Sequence, residues 1–146
     1  MTSENKIKIY CAFTGLGKTY YCQHNLGWIE IDEEAFIKTR NLEEAMIQAF
    51  YAYHSYGYKI LTNGTPYVLE SLFHHRDAFE VILMIPSPDM KEEILQRIRD
   101  RGSIEWADML PKYYDNMYKY AYYYPCETKY MLRSGQYVSD VLKMLD

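Results

Sequence analysis

Hydrophobic and polar positions along the chain switch repeatedly between a period of two and a period near 3.6, so strands and helices are expected to alternate. Over residues 6–13, Ile7, Ile9, Cys11 and Phe13 alternate with Lys8, Tyr10 and Ala12, as side chains of a strand do. A short helix is expected from Lys18 to about residue 24, with Asn25 and Gly27 as its stop. Residues 28–32 read as a second strand that ends on Asp32. Asn41 and Glu44 make a capping-box-like start to a helix reaching about Tyr56, with Leu42, Ala45, Met46, Ala49, Phe50 and Tyr53 at helical spacing. A third strand over 58–62 runs into Asn63-Gly64. Thr65 as cap and Pro66 at the first helical position then open a helix with Val68, Leu69, Leu72 and Phe73 inward. Residues 79–85 are the most apolar run, the mark of a strand covered on both faces of a parallel sheet. Ser87-Pro88 heads a helix to about residue 101. The amphipathic stretch 103–120 reads as a further helix that Pro111 should kink or split. A last strand over 127–132 and a closing helix from about Gln136, with Val138, Val141, Leu142 and Leu145 inward, complete the chain.

Alternation of this kind predicts an α/β fold: a mostly parallel five-stranded sheet, helices on both faces, right-handed crossovers and the first strand central. The 146 residues suit one domain, with residues 1–5 a frayed lead-in and no linker or repeat to divide it. A hydrophobic share of 49% supports a sizeable core. The net charge of −4 argues against a protein held mainly by a nucleic-acid backbone, including a kinase of polynucleotide ends. Three widely spaced cysteines, Cys11, Cys22 and Cys126, read as reduced thiols of a cytoplasmic protein. No leader-like segment or 18-residue apolar run is found, so a soluble protein without membrane contact is expected.

The candidate chemistry centres on Ala12-Phe13-Thr14-Gly15-Leu16-Gly17-Lys18-Thr19, a small residue, four variable ones, then Gly-Lys-Thr, between a strand and a helix. This is the phosphate-loop, or Walker A, pattern in the context it requires. Gly15 and Gly17 let backbone N–H groups ring a phosphate, and the helix start adds partial positive charge. Lys18 can reach β- and γ-phosphates, and the Thr19 hydroxyl can ligate Mg²⁺. Ala12 stands where the stricter motif has glycine. Asp32 admits two readings, a ligand to Mg²⁺ or a substrate hydroxyl, and a helix cap. Arg97 and Arg101, four apart on one helix face, are either a solvated basic stripe or a mobile segment that carries guanidinium groups onto transferring phosphates. His74, His75 and Arg76 suit a helix C-terminus, and the tyrosines between 118 and 124 suit packing better than a base-stacking platform.

On these motifs the chain resembles the P-loop nucleoside and nucleotide kinases, close to the nucleoside-monophosphate-kinase and shikimate-kinase group. More narrowly, it resembles small nucleotide-kinase-like proteins encoded by bacteriophages, which would work in the host cytoplasm. The resemblance implies a three-layer P-loop NTPase fold with strand order 2-3-1-4-5 and a lid-like segment at about 88–103. It implies ATP and Mg²⁺ as cofactors, held by Thr14, Gly15, Leu16, Gly17, Lys18 and Thr19, with Asp32 serving metal or acceptor. Arg97 and Arg101 would meet the developing charge, and Arg40 or Arg76 an acceptor phosphate. The implied partner is a small nucleotide substrate, most naturally a (deoxy)nucleoside monophosphate, taken by a monomer or homodimer. One departure stands out: the third strand ends Leu61-Thr62-Asn63-Gly64, without the carboxylate that serves Mg²⁺ in many such kinases. A nucleotide-binding interaction protein without phosphoryl transfer is the alternative.

Overall fold

The computed structural model describes residues 5–102 and 104–145, so residues 1–4 of the expected lead-in and the expected helix start at Ser103 lie outside the described residues. Strand and helix alternate as the pattern predicts: β1 (Ile7–Ala12), α1 (Lys18–His24), β2 (Trp28–Ile31), α2 (Leu42–Ser55), β3 (Lys59–Asn63), α3 (Pro66–His74), β4 (Phe79–Pro86), α4 (Lys91–Asp100), α5 (Ile104–Tyr123), β5 (Thr128–Leu132) and α6 (Val138–Leu142). Single 3₁₀ turns at Glu33–Phe36 and Pro88–Met90 lead into α2 and α4.

The sheet runs β2-β3-β1-β4-β5. Every strand pairing in it is parallel, where a mostly parallel sheet was expected. All carboxyl ends therefore lie along one edge, with Ala12 level with Asn63 on one side and Met84 on the other. The step from β1 to β2 crosses the sheet in one direction, and the steps to β3, β4 and β5 cross in the other. Right-handed crossovers then put α1 on one face and α2, α3 and α5 on the opposite face. The packing agrees, since α1 meets α6 while α3 meets both α2 and α5.

The core lies on both sides of β1 and β4. Ile9, Cys11, Leu83, Met84 and Ile85 are fully buried and join Leu69, Ile94, Ile98, Leu110, Val138 and Leu142 from the helices. Burial of this continuous apolar surface is the main force holding the layers together. No helix among the described residues is long and apolar enough to cross a membrane.

Several local expectations change. α5 runs unbroken through Pro111, because Leu110, Tyr114, Met117 and Ala121 form one buried stripe that holds both halves in line. Phe73 does not point inward. It is 37% exposed and lies under the Arg76 guanidinium, 4.4 Å from the ring centre. Leu145 is also exposed. The closing helix begins at Val138 instead of Gln136, whose side-chain oxygen accepts from the Arg133 N–H at 2.7 Å and so closes the turn before it. Thr65 places no side-chain cap on α3, because its hydroxyl donates to Glu33 instead.

Gly64 is where β3 meets the start of the β1–α1 loop. Its N–H donates to the Ala12 carbonyl at 2.7 Å, and an added Cβ would sit 3.1 Å from both Ala12 C and Phe13 N. Those neighbours are backbone and cannot rotate away. Gly64→Ala is expected to lower stability by about 1–3 kcal/mol, the range for overpacking, read as a fall in denaturation midpoint without a change in slope.

Candidate functional site

The loop after β1 is shaped by what holds its carbonyls from outside. The Arg97 Nη1 donates to the Gly15 carbonyl at 3.1 Å, and the Val138 N–H donates to the Leu16 carbonyl at 2.9 Å. A trans peptide points its N–H opposite to its C=O. The N–H groups of Leu16 and Gly17 are therefore turned away from Arg97 and Val138, toward the inner side of the loop. Gly15 and Gly17 take φ of 82° and 85°, a region that favours glycine. An added Cβ on Gly17 would also lie 3.1 Å from Tyr137 Cδ1. Trp106 Nε1 donates to Thr14 Oγ1 at 3.2 Å, and Leu16 and Phe13 are buried below. α1 then starts at Lys18 with no side-chain cap, in contrast to α2, whose first turn is capped by Asn41. The result is a loop whose Leu16 and Gly17 N–H groups face inward, followed at once by an ammonium and a hydroxyl.

Lys18 and Thr19 converge on one carboxylate, Glu30 of β2. Thr19 Oγ1 lies 2.9 Å and 3.0 Å from the two Glu30 oxygens, and Lys18 Nζ lies 3.3 Å from Oε2. Both charged side chains are largely covered, at 13% and 18% exposure for Lys18 and Glu30. Glu30 was not among the residues singled out from the sequence. Its signal was there: a charged residue inside an otherwise apolar strand, two positions before Asp32 and so on the same face. Cys22, one turn along α1, is pushed up to about 12 by burial first and by the Glu30 charge second, so its thiol stays protonated.

Asp32 is not brought to Lys18 or Thr19. Its Oδ1 accepts from the Glu34 N–H at 2.9 Å and caps the 3₁₀ turn. Beside it, Asn63 Oδ1 accepts from the Glu33 N–H at 2.7 Å, and the Thr65 hydroxyl donates to Glu33 Oε2 at 3.0 Å. These bonds clasp the carboxyl ends of β2 and β3 together and line a polar shelf next to the loop. Burial raises the Glu33 pKa above its ordinary 4.5, the Thr65 bond opposes this, and the Asp32 charge adds to it. The native state therefore keeps the Glu33 proton to higher pH than the unfolded chain does. The associated stability is full below about pH 4.5 and falls as pH rises through the folded value. Glu33→Gln is expected to raise the melting temperature over the wild type at pH 7, with the gain gone at pH 4.

Arg97 is tied down at its position. It pairs with Glu93 at 2.6 Å and lies over Tyr137, 4.0 Å from the ring centre, while it holds Gly15. Glu93 in turn accepts from the Ser134 hydroxyl and from the Gly135 N–H, and these bonds, with Arg97, hold its carboxyl below the ordinary range. α4 also buries Ile94, Leu95 and Ile98, so residues 91–100 are packed onto the body of the protein. Arg101 is exposed at the end of α4, and its side chain makes no hydrogen bond or ion pair among the described residues. Arg76 donates to the Phe73 carbonyl at the far end of α3, away from the loop. His74 and His75 both turn to Glu43 on α2, at 2.9 Å and 3.4 Å. Among the described residues there is no group of three or more His, Cys, Asp or Glu placed to hold a metal ion by themselves.

Fold and site together define a parallel α/β protein with a glycine loop, a helix start and a Lys-Thr-Glu cluster on the carboxyl edge of its sheet. No family model matches the chain, and no curated protein does. Among solved structures, an uncharacterized protein from Eubacterium ventriosum ATCC 27560 is similar in fold, with a TM-score of 0.52 over 96% of each chain and 13% identical residues. At that identity the likeness speaks for the fold alone.

Proposed function

We propose that the chain is an ATP-binding kinase of the P-loop NTPase fold that transfers the γ-phosphate to a small acceptor, with (deoxy)nucleoside monophosphates as the acceptor class. The observation that carries this reading is the loop whose Gly15 and Leu16 carbonyls are held outward while Lys18 and Thr19 stand at an uncapped helix start. Loop amides and Lys18 would hold the donor phosphates. The residues fit a Mg²⁺–nucleotide complex, because Thr19 and Glu30 supply hard oxygen groups at the right end of α1. Mg²⁺, when bound, supplies charge neutralisation at the phosphate oxygens and takes most of its ligands from phosphate and water. The shelf formed by Asp32, Glu33, Asn63 and Thr65 offers acceptors and donors for a substrate hydroxyl or ribose. Transfer of this kind asks for positioning and charge compensation more than for covalent chemistry.

The test is a coupled assay of ATP consumption with Mg²⁺ against a panel of ribo- and deoxyribonucleoside monophosphates. Saturable turnover with one of them is the expected result, and tight nucleotide binding without transfer to any would overturn the kinase assignment. That outcome would favour the second reading, a nucleotide-binding interaction protein of the same fold. One feature supports it: Arg97 is committed to Gly15, Glu93 and Tyr137, and Arg101 faces solvent.

A further inference from the structure

We propose that Glu30 is a counter-charge that parks Lys18 when no metal–polyphosphate is present, and so penalises metal-free polyphosphate at this site. The inference rests on the phosphate-site reading above and concerns the regulation of that site.

An ionised carboxylate only accepts hydrogen bonds, so the Thr19 hydroxyl must donate its hydrogen to Glu30 at 2.9–3.0 Å. That leaves the oxygen lone pairs of Thr19 directed away from Glu30, where a hard cation can use them. The same carboxylate holds Lys18 Nζ at 3.3 Å in a largely covered pair. A bare polyphosphate approaching Lys18 must therefore draw it from Glu30 and accept a second negative charge close by. A metal–polyphosphate complex brings a dication to the same place and turns the Glu30 charge from a repulsive group into an attractive one. Lys18 and Thr19 come from the loop motif, but Glu30 comes from β2, the sheet's edge strand, which is separated from β1 by β3. On the neighbouring β3, where a carboxylate would otherwise be sought, Thr62 and Asn63 are spent on the Ile31 carbonyl and the Glu33 N–H.

The experiment is calorimetric titration of inorganic triphosphate and of ATP into wild type, Glu30→Gln, Glu30→Asp and Thr19→Val, each with Mg²⁺ and with EDTA, and with melting curves to confirm folding. Wild type is expected to bind at least about tenfold more tightly with Mg²⁺ than in EDTA, a gap of about 1.4 kcal/mol. Glu30→Gln should close most of that gap by tightening metal-free binding about tenfold, because Lys18 is released. Glu30→Asp, which keeps the charge, should retain a metal requirement. Thr19→Val should lose the Mg²⁺ benefit with little change in EDTA. Metal-free binding by Glu30→Gln that is equal to or weaker than wild type would overturn the role of Glu30 and leave the phosphate site standing. Absence of any polyphosphate binding by the wild type, with or without Mg²⁺, would instead remove the phosphate-site reading and this inference with it.

Discussion

Lys18→Ala is expected to weaken Mg²⁺–ATP binding by about a hundredfold, the upper part of the range of 1.5–3 kcal/mol that hydrogen bonds to charged groups supply. Lys18 is the only cation in the loop motif, and it sits at the first position of α1, directly after the outward-held carbonyls. The upper part of the range applies because the substitution does two things. It removes the ammonium from the phosphates, and it leaves the Glu30 carboxylate with only the Thr19 hydroxyl as partner. The phosphates then lose the motif's cation, and the bound Mg²⁺ alone is left to offset the Glu30 carboxylate. Lys18→Arg should recover little, since a planar guanidinium needs more room than the 13%-exposed ammonium has between α1 and β2. Calorimetry with ATP and Mg²⁺ measures the effect, and a melting curve checks the fold. Binding within threefold of wild type, or turnover that survives the substitution, would show that phosphate is held elsewhere.

The parts of this site that could be read from residue order are those set by local chemistry. Gly15, Gly17, Lys18 and Thr19 are contiguous, and a strand before them and a helix after them follow from periodicity alone. The β-strands were legible for the same reason, because Phe79–Pro86 is apolar on both faces and Ile7–Ala12 alternates. What was not legible depends on which distant elements meet. Period-two alternation puts Glu30 and Asp32 on one face but does not say which reaches α1. The choice is made by the 3₁₀ turn at Glu33–Phe36, which recruits Asp32 as its cap and leaves Glu30 for Lys18 and Thr19. Likewise, Arg97 on its helix face could have been solvated or mobile. The partners that hold it, Gly15 and Tyr137, lie 82 and 40 positions away, and no spacing rule links them. Phe73 shows the same limit: its helical position suits the core, but Arg76 covers the ring at the surface instead.

Phe13→Ala is expected to be strongly destabilising, at about 3–5 kcal/mol. Against the 5–15 kcal/mol by which domains are ordinarily stable, that is a large fraction. Phe13 is the hinge between sheet and loop: its N–H donates to the Met84 carbonyl at 2.9 Å, which continues the β1–β4 ladder one residue past the strand. Its ring, 1% exposed, meets Tyr114 and Tyr118 of α5 edge-on, at 5.2 Å and 5.7 Å between ring centres. Tyr118 is itself fixed by a 2.7 Å bond from its hydroxyl to the Pro86 carbonyl at the end of β4. The ring thus pins the start of the loop to a helix that is in turn pinned to the sheet. Truncation leaves a cavity that α5 cannot close without breaking that bond, so relaxation is limited and the cost lies toward the top of the range. Phe13→Leu keeps most of the volume but loses the edge-on contacts, worth about 0.5–1.5 kcal/mol per aromatic pair. The two variants should therefore separate in chemical denaturation, with the alanine midpoint far below wild type and the leucine midpoint between. Both should also loosen the spacing of Thr14 through Gly17, so nucleotide affinity is expected to fall in the same order. If affinity were unchanged in a Phe13→Leu protein measurably destabilised at equilibrium, the loop would owe its shape to Arg97, Trp106 and Val138 alone.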